Sequence, residues 1–242
     1  MATFCLTPRY IFYFIVAAIA LFFSSTSHAQ NDDVNFRKFY LRAGLAMPQG
    51  HFKNAFDNNI ATTDNFSKSG GLGAKSGFVF DIGSYIYMHP DPIADGIKIG
   101  LDFTFMSLTY NQLNWETDLT GSKTAPTFLT LSSKLGPLVS YNFADIAIVD
   151  VYFKVAPTFL FASETTYVRN NSDGVEMLPE DIGFGVKWNT GITFHYGVGS
   201  FTVCYDAGRV KKTVYRPNGF TMMETEEQLL LNMVQVKIGL QL

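Results

Sequence analysis

The sequence is poor in the residues that build disulfide frameworks, metal centres and polyanion-binding surfaces. Only two of its 242 residues are cysteine, and its four histidines show no metal-ligand spacing. Basic and acidic side chains number 18 and 21, with a formal net charge of −3 and no basic tract. These absences argue against a disulfide-stabilised scaffold, a metal site and a nucleic-acid-binding protein.

Long hydrophobic runs are also lacking, apart from one at the start of the chain. Residues 11–23 are almost wholly apolar, Arg9 precedes them, and small and polar residues follow as far as Ala29. This order predicts a secretory signal peptide over residues 1–29, cleaved between Ala29 and Gln30. A membrane-spanning helix is disfavoured, because it would need about 20 apolar residues.

Cleavage would leave a single domain over residues 30–242 without a transmembrane helix. Cys5 would be removed, so one thiol, Cys204, would remain and no internal disulfide could form. Loss of Arg9 would make the net charge one unit more negative. The whole sequence is nevertheless 47% hydrophobic and 15% aromatic. Its apolar residues must therefore be dispersed in another pattern.

That pattern is a strict alternation of apolar and polar residues, which is typical of β-strands. The last nine residues show it most clearly, with Gln235, Lys237, Gly239 and Gln241 opposite a wholly apolar face. The same alternation predicts eight strands: Phe39–Met47, Gly77–Met88, Ile97–Thr109, Thr127–Phe143, Val149–Phe161, Ile182–Tyr196, Phe201–Gly208 and Val234–Leu242.

The connections between these strands alternate in length. Long polar segments follow the first, third, fifth and seventh strands, and shorter ones follow the others. If sequential strands pair as antiparallel neighbours, all long loops lie at one end of the sheet and both chain ends lie at the other. The long loops are predicted at Gln49–Gly73, Asn111–Ala125, Arg169–Glu180 and Tyr215–Glu227.

The charged residues of the strands share the face opposite the large aliphatic side chains. They are Arg42, Asp81, Lys98, Asp102, Lys134, Asp150, Lys154, Lys187, Asp206 and Lys237. Because buried charges are costly unless paired, these six cations and four anions predict a lumen polar network if the face curls inward. Glycines on the same face would leave room for the longer side chains.

Two architectures fit eight such strands. In a soluble barrel or sandwich the apolar face is buried, whereas in a membrane barrel it faces lipid and the charged face fills the lumen. The apolar faces carry large residues at nearly every position, and an eight-stranded interior is only just wide enough for side chains. We therefore predict an all-β fold: an eight-stranded antiparallel up-and-down transmembrane β-barrel in the cell outer membrane, with the last strand closing against the first.

These features together resemble small outer-membrane β-barrels of the porin-like family common in Bacteroidetes-type bacteria. The resemblance covers residues 36–242 and is carried by the eight segments, the alternating connections, the amphipathic last strand and the segment Leu135–Phe143. One departure is that Leu242, not an aromatic residue, ends the chain. The resemblance implies outer-membrane lipid and the barrel-insertion machinery as partners, and some relatives serve protein secretion.

Three functions are compatible with this fold. The first is a non-enzymatic barrel with a filled lumen, whose outer loops contact protein partners, as an accessory of outer-membrane protein secretion or assembly. The second is a narrow pore for small solutes or ions, and the third is a membrane-embedded lipid-modifying enzyme. His195 and Asp206 could form an acid–base pair, but no G-x-S-x-G, Walker A or H-E-x-x-H motif is present. We expect the first function, with no catalytic residue, no cofactor, no metal site and no nucleic-acid partner.

Overall fold

The computed structural model describes most of the chain beyond the predicted signal peptide. The described residues are 38–57, 60, 65, 70–89, 91–94, 96–114, 126–143, 147–163, 165–168, 175–178, 182–218 and 221–242. The predicted cleavage site at Ala29 and Gln30 lies outside them, as do parts of all four predicted long loops. In the described ranges, no helix is long and apolar enough to cross a membrane.

Eleven strands account for most of the described residues, as the alternating sequence requires. They are β1 Phe39–Pro48, β2 Gly77–Tyr87, β3 Ile97–Gln112, β4 Thr127–Phe143, β5 Ala147–Ala162, β6 Thr165–Val168, β7 Val175–Leu178, β8 Ile182–Tyr196, β9 Gly199–Asn218, β10 Thr221–Leu230 and β11 Met233–Gln241. A short 3₁₀ helix, Gly50–Phe52, follows β1.

Eight of these strands form a closed antiparallel ring. Strands β1 to β5 pair in sequence, β5 pairs with β8, β8 with β9, and β9 with β11. Strand β11 closes on β1, with Gln241 opposite Tyr40 and Val234 opposite Met47. The predicted all-β, eight-stranded, up-and-down barrel is confirmed, and so is its closure between last and first strands. Closure leaves these eight strands without free edges.

The strand directions define two ends of the barrel. Strand β1 begins and β11 ends at what we call the short-turn end, where Gly197 and Val198 connect β8 to β9. Gly197 has a φ of 59°, a left-handed conformation that glycine adopts without steric cost. The 3₁₀ helix and the β9–β10 hairpin lie at the opposite, long-loop end.

Two predicted loops contain strands. Strand β9 runs to Asn218 and pairs along its length with β10, so the loop prediction for Tyr215–Glu227 is wrong. The predicted loop Arg169–Glu180 likewise contains β7, which pairs with β6. Cross-strand polar pairs support the β9–β10 hairpin, such as Lys211 with Glu226. Beyond Gly208, β9 and β10 carry charged residues on both faces, and β6 and β7 have only four residues each, so hydrophobic alternation does not reveal them.

A β-bulge in β3 changes the face of one residue. The register with β4 shifts between Thr104 and Ser107. Ser107 is consequently buried, and the two residues before it, Phe105 and Met106, are both partly exposed. Strict alternation predicts Met106 on the polar face, which is wrong because a bulge places one extra residue in the strand and reverses the order beyond it.

Candidate functional site: the barrel lumen

Each of the eight ring strands contributes at least one charged side chain to the barrel lumen. Each of the ten predicted network residues lies inside it and is at most 5% exposed: Arg42, Asp81, Lys98, Asp102, Lys134, Asp150, Lys154, Lys187, Asp206 and Lys237. Their strands place them between the short-turn end and the middle of the barrel. The inward residues nearer the long-loop end are mainly apolar.

Asp206 is the most highly coordinated carboxylate in the lumen. Its Oδ2 lies 3.2 Å from Lys134 Nζ and 3.4 Å from Lys187 Nζ. Gln235 donates to the same oxygen at 3.1 Å, and Asn189 donates to Oδ1. Lys134 is on β4, which is not adjacent to β9 in the ring. The pair therefore joins two strands that are separated by β5 and β8 in the barrel wall.

Two further ion pairs also join strands that are not neighbours. Lys154 Nζ on β5 lies 2.9 Å from Asp102 Oδ2 on β3, and the Tyr40 hydroxyl donates to Asp102 Oδ1 at 2.6 Å. Lys237 Nζ on β11 lies 2.6 Å from Asp81 Oδ2 on β2. Because both partners are buried, removing either charge would leave the other uncompensated, which costs more than losing a surface pair.

Aromatic side chains surround the remaining charges near the short-turn end. The Arg42 guanidinium lies 3.9 Å from the centroid of the Tyr40 ring and donates a hydrogen bond to the Tyr85 hydroxyl. Lys98 Nζ lies 5.7 Å from the centre of the Tyr87 ring. Such cation–π contacts partly replace the hydration of a buried cation.

The inward tyrosines also belong to this network, which the sequence did not predict. Tyr40, Tyr85 and Tyr152 are at most 3% exposed and pack with Leu138 and Cys204. In the alternating sequence of each strand they fall on the same face as the charged residues, and this signal could have identified them. Parity alone does not show that their hydroxyls and rings contact the charges.

Glycines make room for these rings, as expected. A Cβ atom added to Gly83 would overlap the Tyr40 phenol, and one added to Gly191 would lie 2.6 Å from the Tyr152 hydroxyl oxygen. Any larger residue at Gly83 or Gly191 would displace a tyrosine that contacts the buried charges. The two glycines thus shape the lumen without contributing a functional group.

An apolar cluster fills the long-loop end of the lumen, and we call it the outer plug. Its residues are Ala46, Phe52, Leu72, Ala74, Val79, Leu113, Phe128, Leu160, Ala162, Val210, Val214, Leu229, Leu231 and Met233. Phe52 comes from the segment after β1, is 1% exposed and stacks on Phe128 with 6.4 Å between ring centroids. Part of the predicted loop Gln49–Gly73 therefore folds against the barrel interior.

The acid–base pair considered from the sequence is not formed. His195 Nε2 lies 2.5 Å from Asp150 Oδ2, whereas Asp206 binds lysines deeper in the lumen. Ser200 is opposite His195 in the β8–β9 ladder, but neither Ser200 Oγ nor His195 Nδ1 has a hydrogen-bond partner. The Ser–His contact that activates a serine nucleophile is thus missing. No group of three His, Cys, Asp or Glu side chains suited to a metal occurs among the described residues.

The outer surface of the barrel carries a belt of exposed apolar side chains. Phe78 and Ile238 are 67% and 69% exposed, and large aliphatic and aromatic side chains dominate the outward positions of β4, β5 and β8. On β9 the belt ends at Arg209, since Arg209 and Lys211 are outward-facing and exposed. Trp188 lies just inside this boundary and packs against Tyr205, with 5.7 Å between ring centroids.

No family model and no curated protein matches this sequence. Among solved structures, the chain matches the outer membrane protein OprG from Pseudomonas aeruginosa and the Outer Membrane Protein W from E. coli. OprG is 11% identical, with a TM-score of 0.39, and the match covers 87% of this chain and 100% of OprG. Outer Membrane Protein W is 14% identical, with a TM-score of 0.33, and the match covers 86% of this chain and 99% of the other. Likeness at this level carries no functional argument, so the barrel rests on its own strand pairing and membership of the Bacteroidetes-type porin-like family stays a prediction.

Proposed function

We propose that this protein is a non-enzymatic barrel of the outer membrane, whose lumen is filled and whose long-loop end contacts other proteins. The observation that supports it best is the continuous apolar belt on the outward face, combined with ion pairs on the inward face. Soluble monomers rarely expose apolar patches larger than a few hundred Å². A lipid environment would remove this surface from water.

The height of the belt fits a bilayer. On β9 it extends from Gly199 at the short-turn end to Gly208, directly before the exposed Arg209. About ten residues at a rise of about 3.3 Å each, tilted by about 45°, span about 23 Å. The apolar band of outer-membrane barrels is about 25 Å tall. The charged β9–β10 hairpin would then project into water.

The filled lumen favours a structural or interaction role over transport of solutes. Tyrosines and ion pairs occupy the middle and the short-turn end, and the outer plug occupies the other end. An eight-stranded barrel has an interior just wide enough for its own side chains. A solute would have to displace both the polar network and Phe52.

The long-loop end is the part that we propose to bind protein partners. The β9–β10 hairpin presents Arg209, Lys211, Glu224 and Glu226 on exposed positions above the belt. Mixed charges on a β-hairpin suit recognition of another polar protein surface. The resemblance to porin-like barrels makes a component of outer-membrane secretion or assembly the specific form of this proposal, with the insertion machinery acting during biogenesis.

Fractionation of cells that express the chain tests the location, and planar-bilayer recording of the purified protein tests the filled lumen. We expect recovery in the outer-membrane fraction and no stable unit conductance. Recovery in the soluble periplasm would contradict the outward assignment of the apolar face to lipid. Stable unit conductance would instead contradict the filled lumen and favour the narrow-pore alternative.

A further inference from the structure

Strand β10 continues the line of β11 along β9, beyond the point where β1 ends. Both strands pair with β9 in the same register. Strand β1 pairs with β11 only as far as Pro48, which is opposite Met233. The chain then enters the 3₁₀ helix, whose Phe52 packs into the outer plug. The edge of β10 that faces away from β9 therefore has no residue of β1 beside it.

Hydrogen bonds at the β10–β11 junction show which backbone groups face this edge. Leu231 N donates to Gly208 O on β9 at 3.0 Å, and Asn232 O accepts a hydrogen bond from Gln49 N on the β1 side at 2.8 Å. In an antiparallel ladder these directions alternate along the strand. Even-numbered residues of β10 thus direct their N–H and C=O groups away from β9, along what we call the open edge. They include Glu224, Glu226, Gln228 and Leu230.

The open edge has no backbone partner in the part of the chain that the structure describes. Strand β10 pairs with β9 alone, and none of the backbone hydrogen bonds outside the ladders involves residues 221–230. The side chains of Glu224, Glu226 and Gln228 are also exposed. An unpaired edge of this kind is a template for the addition of another strand.

The charge of β10 selects the kind of strand that can pair with it. Its ten residues include three glutamates and no cation. Lys211 on β9 pairs with Glu226 at 3.2 Å, so Glu224 is the carboxylate that remains for a partner on the outward face. Opposite charges stabilise a cross-strand pair and like charges destabilise it. A second copy of β10 would bring glutamates together, whereas a strand with alternate lysines or arginines would bring cations to them.

We propose that the open edge binds an extended, basic strand of a partner protein by antiparallel β-sheet addition. Backbone hydrogen bonds to Glu224, Glu226 and Gln228 would supply affinity, and alternate cations beside the glutamates would supply specificity. The inference rests on the proposed role of the long-loop end in protein contacts. It specifies the chemistry of the partner and the way in which it docks.

Solution NMR of the purified protein in zwitterionic micelles, titrated with a synthetic peptide, tests the open edge directly. The capped peptide alternates lysine with threonine, a residue that favours strands. We expect saturable shifts of the amide resonances of Glu224, Glu226 and Gln228, and slower exchange of these amides with water. A second peptide with N-methylated lysines keeps the charge but lacks the N–H donors that would face β10. It should produce no saturable shift.

Two variants at one position separate backbone pairing from the attraction of charges. Gln228→Pro removes an N–H group from the open edge and none from the β9 ladder, so it should abolish the saturable shifts. Gln228→Ala keeps this N–H group and should bind the peptide like the wild type. Glu224→Gln should raise the half-saturating peptide concentration severalfold. If Gln228→Pro fails to fold, the comparison of the two peptides on the wild type decides.

The outcomes distinguish strand addition from other modes of association. Equal binding of the two peptides, or no saturable shift in the wild type, would overturn the proposal. Shifts of the same amides that depend on protein concentration without peptide would identify a second copy as the occupant and overturn the basic partner. These results concern the docking mode alone, since fractionation and conductance test the outer-membrane location and the filled lumen independently.

Discussion

Replacing an outward valine at mid-belt by arginine distinguishes a lipid-facing surface from a water-facing one. Val203 is 42% exposed and lies between Ile192 on β8 and Val236 on β11. Facing lipid at the bilayer midplane, arginine costs about 2–4 kcal/mol of folding free energy. That cost corresponds to a factor of roughly 30 to 700 in the folding equilibrium. Facing water, the same change would stay within about 0.5 kcal/mol.

Met223→Arg provides the matched control. Met223 is 51% exposed and lies on β10, beyond the charged boundary of the belt, so we expect a change of at most about 1 kcal/mol. The free energy of unfolding is measured by reversible urea titration of protein folded into lipid vesicles. Similar losses for Val203→Arg and Met223→Arg, or no loss for either, would refute a lipid-facing belt.

Three further substitutions test the lumen. Asp206→Asn should destabilise the protein by about 3–5 kcal/mol because it leaves two buried lysines uncompensated. The control Glu226→Gln, in an exposed ion pair, should cost at most about 1 kcal/mol. Equal urea midpoints for the two variants would contradict the network. Gly83→Ala should lower the free energy of unfolding by about 1–3 kcal/mol because the added methyl group displaces the Tyr40 ring. The control Gly199→Ala should be close to neutral in the same urea titration, because a Cβ atom added there would lie no closer than 3.5 Å to a non-neighbouring atom. Phe52→Ala should cost about 3–5 kcal/mol and expose the segment after β1 to trypsin; unchanged trypsin cleavage rates would show that Phe52 does not anchor this segment.

The barrel itself could be predicted because its signal is repeated in every strand. Alternation of large aliphatic residues with charges and glycines fixes the strand type and separates two faces, and it does so independently in eight segments. Closure follows because β11 is as strongly amphipathic as β1 and needs a partner on each edge. The inward positions of Arg42, Asp102 and Lys237 follow from the same parity.

The alternation of inward and outward residues could not predict which inward residues contact each other across the lumen. Contacts such as Lys134 with Asp206 depend on the stagger of every intervening strand, and a bulge such as that before Ser107 changes the stagger locally. The outer plug was missed for a related reason: alternation shows that Val79 and Phe128 face inward but not that both lie at the same level as Phe52. The β9–β10 hairpin was missed because both of its faces carry polar residues.

Trp188 offers the most direct test of the claim that the outward face meets lipid. The chain contains two tryptophans, Trp115 and Trp188, so Trp115→Phe leaves Trp188 as a single reporter. Trp188 is 41% exposed on the outward face, near the boundary of the belt at the long-loop end. In vesicles, we predict strong fluorescence quenching by lipids brominated near the headgroup end of the acyl chain and weak quenching by aqueous acrylamide. Strong acrylamide quenching without quenching by brominated lipid would contradict the account.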